Sequence, residues 1–191
     1  MHGNVDRQII GGLSGGIVVE GSERLYPFLK GLTERVILFK HRPIGRADYQ
    51  ELVTANGTVM PTIPIRPGEA QFWEMGHTGA DRFLRVQVER MPFYVIGRDG
   101  YFLPHPIKMD EVLLGPGQRV SAIIVGGKPD KYAFKSVAFR FDERRPPYPF
   151  GIPSTSHWTG AAIIVQCPRT KTCIVTRPRT SRGPMPSFLA G

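Results

Sequence analysis

The sequence predicts an all-β protein, a sandwich or barrel of short strands joined by tight turns. Three observations carry this. Glycine (22) and proline (18) together make up about a fifth of the 191 residues, a composition suited to frequent chain reversals. Apolar runs recur at a spacing of roughly ten residues, with turn dipeptides between them. No stretch of about ten residues carries the 3.6-residue apolar period of an amphipathic helix.

The elements follow in order. Residues 11–21 (GGLSGGIVVEG) read as a Gly-rich turn leading into a short strand at Ile17–Val19. The glycines precede a strand rather than opening a helix, and no Gly-Lys-Ser/Thr follows, which argues against a phosphate loop. Leu25–Leu32 holds one or two helical turns at most. Glu34–Phe39 is a buried strand and Asn56-Gly57 a turn. Pro61–Ile65 alternates apolar residues with proline, so it belongs at a sheet edge or strand end. Pro67-Gly68 is a turn, and strands follow at Glu69–Met75 and Arg82–Glu89. In the latter, Leu84, Val86 and Val88 alternate with Arg85 and Gln87, the period of a strand with one face buried. Phe93–Gly97 and the run after Tyr101 flank Asp99-Gly100, a strong hairpin signal because the turn needs positive φ. A second turn is expected at Leu103-Pro104-His105-Pro106. Two more strands surround Gly115-Pro116-Gly117, and Lys131–Phe141 gives another. Arg144–Phe150 is proline-dense and extended. Residues 160–166 are a candidate closing strand, and no hydrophobic period exists beyond Pro168.

Net charge is +9, yet residues 143–191 hold seven cations against the single anion Glu143, a net +6. The basic character therefore sits in the C-terminal segment. Such a tail can attract nucleic acid or anionic surfaces. It lacks interleaved aromatics, so a solvated tail is the favoured reading and nucleic acid is disfavoured. No apolar run approaches the roughly 18 residues of a membrane-spanning helix. The N-terminus has no basic start followed by an apolar stretch, so no signal peptide is expected. Cys167 and Cys173, the two cysteines, both lie in the tail and define neither a disulfide framework nor a compartment.

Candidate chemistry is sparse. His41 is expected at a strand end, His77 in a turn (Gly76–Gly79), His105 between two prolines and His157 beside Trp158 in the irregular tail. Histidines tens of residues apart read as surface or turn residues, since metal sites show close ligand pairs. His41, His77 and His105 can meet only through the fold, and their spacing gives no support for it. Asp99, Asp110 and Glu111 form no legible acid/base pair. Ser14 and Ser121 lack a Gly-x-Ser-x-Gly elbow. The expectation is no catalytic, cofactor-binding or metal residue in this chain.

The run Pro92–Asp110 with the strands around Gly115-Pro116-Gly117 resembles the middle domain of the multicopper oxidases, the laccase-like enzymes. So does Asn56-Gly57 through Ile63-Pro64-Ile65-Arg66-Pro67-Gly68-Glu69, followed by Asp81-Arg82-Phe83. At the N-terminus, His2-Gly3, Gln8 and Gly12-Leu13-Ser14-Gly15 are similar to the end of the family's segment His-x-His-x-His-Gly…Gln…Gly-Leu-x-Gly. His2 aligns with the third histidine, which is not normally a ligand, and the ligand positions fall upstream of Met1. The late His-Cys-His segment that holds blue copper has no counterpart.

The resemblance implies a Greek-key cupredoxin-like β-sandwich. Residues 1–21 would be the C-terminal strand of a truncated first domain. Residues 22–142 would be the second domain, with 160–166 as its candidate closing strand, and 143–191 a Pro/Arg-rich irregular tail. The resemblance also implies an oxidoreductase parent that takes single electrons at a blue copper and reduces oxygen to water. This chain is expected to be its copper-free middle domain, an inactive fragment binding copper weakly at best. Expected partners are the missing first and third domains. The resemblance also implies a periplasmic or secreted location. The alternatives are a β-sandwich interaction module, which can self-associate, and a basic-tail anion or nucleic-acid binder.

Overall fold

The computed structural model describes residues 3–43, 51–59, 61–80, 83–137 and 163–166. The tail from 143 onward, with Arg144–Phe150, both cysteines and His157, otherwise lies outside these residues, as does His2.

Eleven strands form two sheets among the described residues. One has the order β2 (Glu51–Ala55), β1 (Thr33–Pro43), β4 (Ala70–His77), β9 (Arg119–Val125), β6 (Phe93–Arg98), β7 (Tyr101–Met109). The other runs β3 (Thr62–Pro64), β11 (Ile163–Gln166), β10 (Lys131–Val137), β5 (Leu84–Val88), β8 (Glu111–Leu114). β1 pairs with β4, and β3 with β11, in parallel; the other pairs are antiparallel. The all-β sandwich expected from turn spacing is the architecture observed.

The strand patterns explain the layering. β5 alternates buried and half-buried residues because only one face meets the core. Its Leu84, Val86 and Val88 pack with Val112, Leu114, Tyr132 and Phe134 of the same sheet against Ile37, Phe39, Trp73, Met75, Phe93 and Val95 opposite. β4 and β9 are buried on both faces. Their second face forms a smaller cluster in which Phe72 and Ile123 pack with Leu29 and Ile96. The chain over 26–32 supplies that cover through a 3-10 turn at Pro27–Leu29, with Tyr26 stacked on Phe102 at 3.7 Å between ring centres. A one-turn helix, α2 (Ser22–Leu25), precedes it.

Turn chemistry fixes the register. Asp99 and Gly100 both have positive φ (50° and 89°), so their turn twists with the strands it joins. Asn56 (φ 51°) closes the β2 end, and its side chain has a second role. The carboxamide accepts from the Leu38 N–H and donates to the Val36 carbonyl, both at 2.8 Å. It thus stands in for one residue of a neighbouring strand where β2 has ended. β3 lies at a sheet edge, as its proline requires.

Two expectations are corrected and one is extended. Leu103–Pro106 is not a separate turn but part of β7. Pairing jumps from Gly97↔Phe102 to Val95↔Ile107, so the prolines occupy a wide bulge. β7 is the sheet edge, where a missing N–H breaks no second ladder. β8 and β9 flank the Gly-Pro-Gly turn as expected but lie in opposite sheets, so this turn crosses the sandwich. Ile17–Val19 makes no ladder among the described residues. Instead the preceding chain forms α1 (Val5–Ile10), with the Asn4 carboxamide accepting from the Arg7 N–H at 3.4 Å. β2, which carried no expectation, is an addition.

Candidate functional site

Among the described residues, the parallel pairing of β1 with β4 creates the constellation of most chemical interest. Phe39 lies opposite His77 in the register, so β1 passes the end of β4 with His41 still to come. Side chains two residues apart share a face. His41 therefore follows Ile37 and Phe39 on the inner face, and His77 follows Trp73 and Met75. The imidazoles meet just beyond the core, with His77 Nε2 3.2 Å from His41 Nδ1. Their ring centres are 5.1 Å apart and the planes are inclined at 73°.

The site is held from both sides. The His77 N–H donates to the Gln118 carbonyl at 3.0 Å, and the Gly117 N–H donates to the His77 carbonyl at 2.9 Å. These bonds anchor it to the Gly115–Gln118 turn. Thr78 donates to the Phe39 carbonyl through its N–H (2.8 Å) and its hydroxyl (3.1 Å). His77 is only 1% exposed, which corrects the expectation of a turn histidine. It is the last residue of β4. His41 lies within β1 rather than at its end.

A contact of this length needs one nitrogen to donate and the other to accept, so the two rings share one proton across it. Among the described residues no group of three or more His, Cys, Asp or Glu side chains is arranged around a metal position.

The other residues weighed from sequence have structural roles. The Asp99 carboxylate accepts from the Arg119 N–H at 2.9 Å and ties the hairpin turn to β9. Glu111 lies 3.4 Å from Arg85 across the β5–β8 pair. The Ser14 hydroxyl accepts from Lys40 at 3.0 Å. Ser121 sits on β9 beside Gly97. His105 is exposed on β7, and Asp110 is exposed in the bend after it. Of the described histidines, the fold brings His41 and His77 together. Sequence spacing missed them because they lie 36 residues apart on strands joined only by tertiary pairing.

One carboxyl is perturbed. Glu74 is held above its ordinary 4.5, first by burial and then by the charge and hydrogen bond of Glu34 on the neighbouring strand.

A family model described as multicopper oxidase matches residues 28–157. Solved structures share the fold. A laccase-like multicopper oxidase from the bacterium Ochrobactrum sp. superposes with a TM-score of 0.67 over 96% of this chain and 42% of its own, at 17% identity. The blue copper oxidase of Nitrosomonas europaea gives 0.53 over 74% and 46%, also at 17% identity. A laccase from Pediococcus acidilactici gives 0.57 over 86% and 35%, at 18% identity. The chain thus spans less than half the length of each.

Proposed function

Since the chain belongs to the multicopper oxidase family, we propose that it serves as a copper-free middle cupredoxin-like domain of a larger oxidase, inactive by itself. Residues 1–21 would belong to a preceding sandwich. The parent would draw single electrons from its substrate at a blue copper and pass them to a copper cluster that reduces oxygen to water. The family's setting supports a periplasmic or secreted location for the parent; no helix among the described residues is long and apolar enough to cross a membrane.

The donor set does not fit a blue copper centre, which needs a cysteine thiolate and two histidines converging on one point. The histidines brought together are the buried His77 on β4 and the half-buried His41 on β1, with no thiolate among the described residues. No electron-transfer step is therefore assigned to them.

The observation that carries the reading is an apolar segment that pairs with no strand among the described residues. Ile17 and Val19 are 94% and 80% exposed, and Leu13, Val18, Leu25 and Phe28 are exposed too. Extended, apolar chain with open backbone groups is what a strand looks like away from its sheet. The same feature favours the second reading, a sandwich that associates through this segment.

The test combines copper titration with sizing. The expected result is no intense blue thiolate-to-copper absorption and no phenol oxidation. Stoichiometric blue copper held by these 191 residues would defeat the proposal. Self-association abolished by Ile17→Asp with Val19→Asp would favour the interaction module. Salt-sensitive heparin retention lost on removing residues 143–191 would favour the anion binder.

A further inference from the structure

We infer that the open first half of β1 receives a strand from a second copy of this chain: residues 17–20 of that copy pair with β1, and its Glu20 carboxylate meets Arg35 in the groove between β1 and β3. The inference rests on the second reading above, a sandwich that associates through its apolar segment, and names the surface that takes the segment up.

The receiving surface is a half-used sheet edge. β4 pairs with residues 33–39 of β1, whereas β2 pairs only from Phe39 to Pro43. Residues 33–38 therefore have no strand on their other side among the described residues. The Asn56 carboxamide holds the Leu38 N–H and the Val36 carbonyl there. Backbone groups of alternate residues point to the same edge of a strand. The Val36 N–H and both backbone groups of Glu34 thus face this edge too, with no backbone partner among the described residues. Beside it lies a groove of about 350 Å³, bordered by β1 and by residues 61–64 of the opposite sheet. Arg35 reaches across the groove. Its Nη2 donates to the Pro64 carbonyl at a long 3.5 Å, and its Nε has no acceptor. A guanidinium carries five N–H donors, so the groove presents a cation with donors to spare.

The chain carries the matching strand. Ile17, Val18 and Val19 are consecutive β-branched residues, 94%, 43% and 80% exposed, and the exposed Glu20 follows. The segment is moored away from its own groove, on the outer face of the sheet. Ser14 bonds Lys40, Gly16 lies against Leu38, and Val19 and Glu20 border Leu29 and Phe72. Donor and acceptor thus both adjoin β1, the self-complementary arrangement of a two-fold dimer in which each copy gives one strand and receives one. Antiparallel addition, the sense of β2, sets Val19 opposite Val36 and Glu20 opposite Arg35. Residues two apart share a face. Val18 and Glu20 then enter the groove beside Ile37 and Arg35, while Ile17 and Val19 extend the outer face next to the half-buried Val36 and Leu38. Main-chain bonds supply the affinity, and the Glu20–Arg35 pair fixes the register.

Sedimentation velocity of the full chain, from roughly 10 μM to 1 mM, spans the range of weak association and tests this. The expected result is a reversible monomer–dimer equilibrium, with amide exchange at Glu34 and Val36 slowing as dimer forms. Glu20→Arg and Arg35→Glu should each weaken the dimer by about tenfold or more, because each sets like charges face to face, and the two together should restore it. Glu23→Gln should leave the dimer unchanged. A synthetic peptide of residues 14–21 should compete with it. Exchange in the unmodified chain decides the matter even if a variant folds poorly. A dimer without protection at Glu34 and Val36, or one indifferent to the charge reversals, would overturn the inference and leave the segment's role in association standing. A chain still monomeric at about 1 mM would overturn both.

Discussion

Truncating Phe134 to alanine is the sharpest probe of the sandwich. Phe134 is 1% exposed on β10, and its ring meets residues of the opposite sheet on three sides. Phe39 lies edge-on at 5.5 Å, Trp73 at 5.6 Å and Phe93 at 6.1 Å between centres. Loss of a buried phenyl ring costs about 3–5 kcal/mol, through lost transfer energy and the cavity left behind. Each aromatic pair adds about 0.5–1.5 kcal/mol beyond its area, and the three overlap in one ring. The neighbours are themselves large rings in two facing sheets, so the hole closes poorly. A loss of about 4–5 kcal/mol is therefore expected, a large share of the roughly 5–15 kcal/mol that holds a domain together. Urea unfolding followed by tryptophan fluorescence reads the change through the midpoint and slope. Phe134→Leu should cost only about 1–1.5 kcal/mol. Tyr101→Ala, at a position 81% exposed, should stay within about 0.5 kcal/mol. A Phe134→Ala loss below about 1 kcal/mol would show that this ring does not join the two sheets.

Asn56→Ala removes both 2.8 Å bonds to β1 and places alanine at a φ of 51°. A loss of about 2 kcal/mol is expected in the same assay, with hydrogen exchange quickened at Leu38. Gly126→Ala would drive a methyl group into the Arg66 carbonyl beside the Gly68–Gly126 bond, so a loss above about 3 kcal/mol or failure to fold is expected. Glu74 binds its proton more tightly in the folded than in the unfolded chain, because burial and Glu34 hold it above 4.5. Its contribution is therefore intact below that pH and is lost as pH rises through the folded value. Glu74→Gln should match the wild type in acid and exceed it in stability toward neutrality; equal stability across that range would refute the assignment.

Much of the fold was legible because turns are local. Asp99-Gly100, Asn56-Gly57 and Pro67-Gly68 announce themselves by the φ values they need, and β5 by its strict alternation. Other features were not legible, each for a physical reason. The prolines in Leu103–Pro106 signal a break in any strand, but an edge strand absorbs them in a bulge, and edge position is not local information. β2 is short, and its value lies in covering β1 rather than in its own pattern. Ile17–Val19 has strand composition without a strand partner among the described residues, and composition alone cannot supply one.

The candidate site shows the division most clearly. Chain chemistry by itself determined the residue types, an all-β class, the places where the chain turns and the absence of a late His-Cys-His segment. These depend on side-chain volume, backbone φ and order along the chain. Only tertiary pairing decided that β1 and β4 run side by side in parallel, and so that His41 and His77 stand 3.2 Å apart. Parallel neighbours are joined through a crossover, here the excursion through β2 and β3. The alignment of the two strands is set by burying Ile37 and Phe39 with Trp73 and Met75 in one core, a long-range energy that no window of sequence contains.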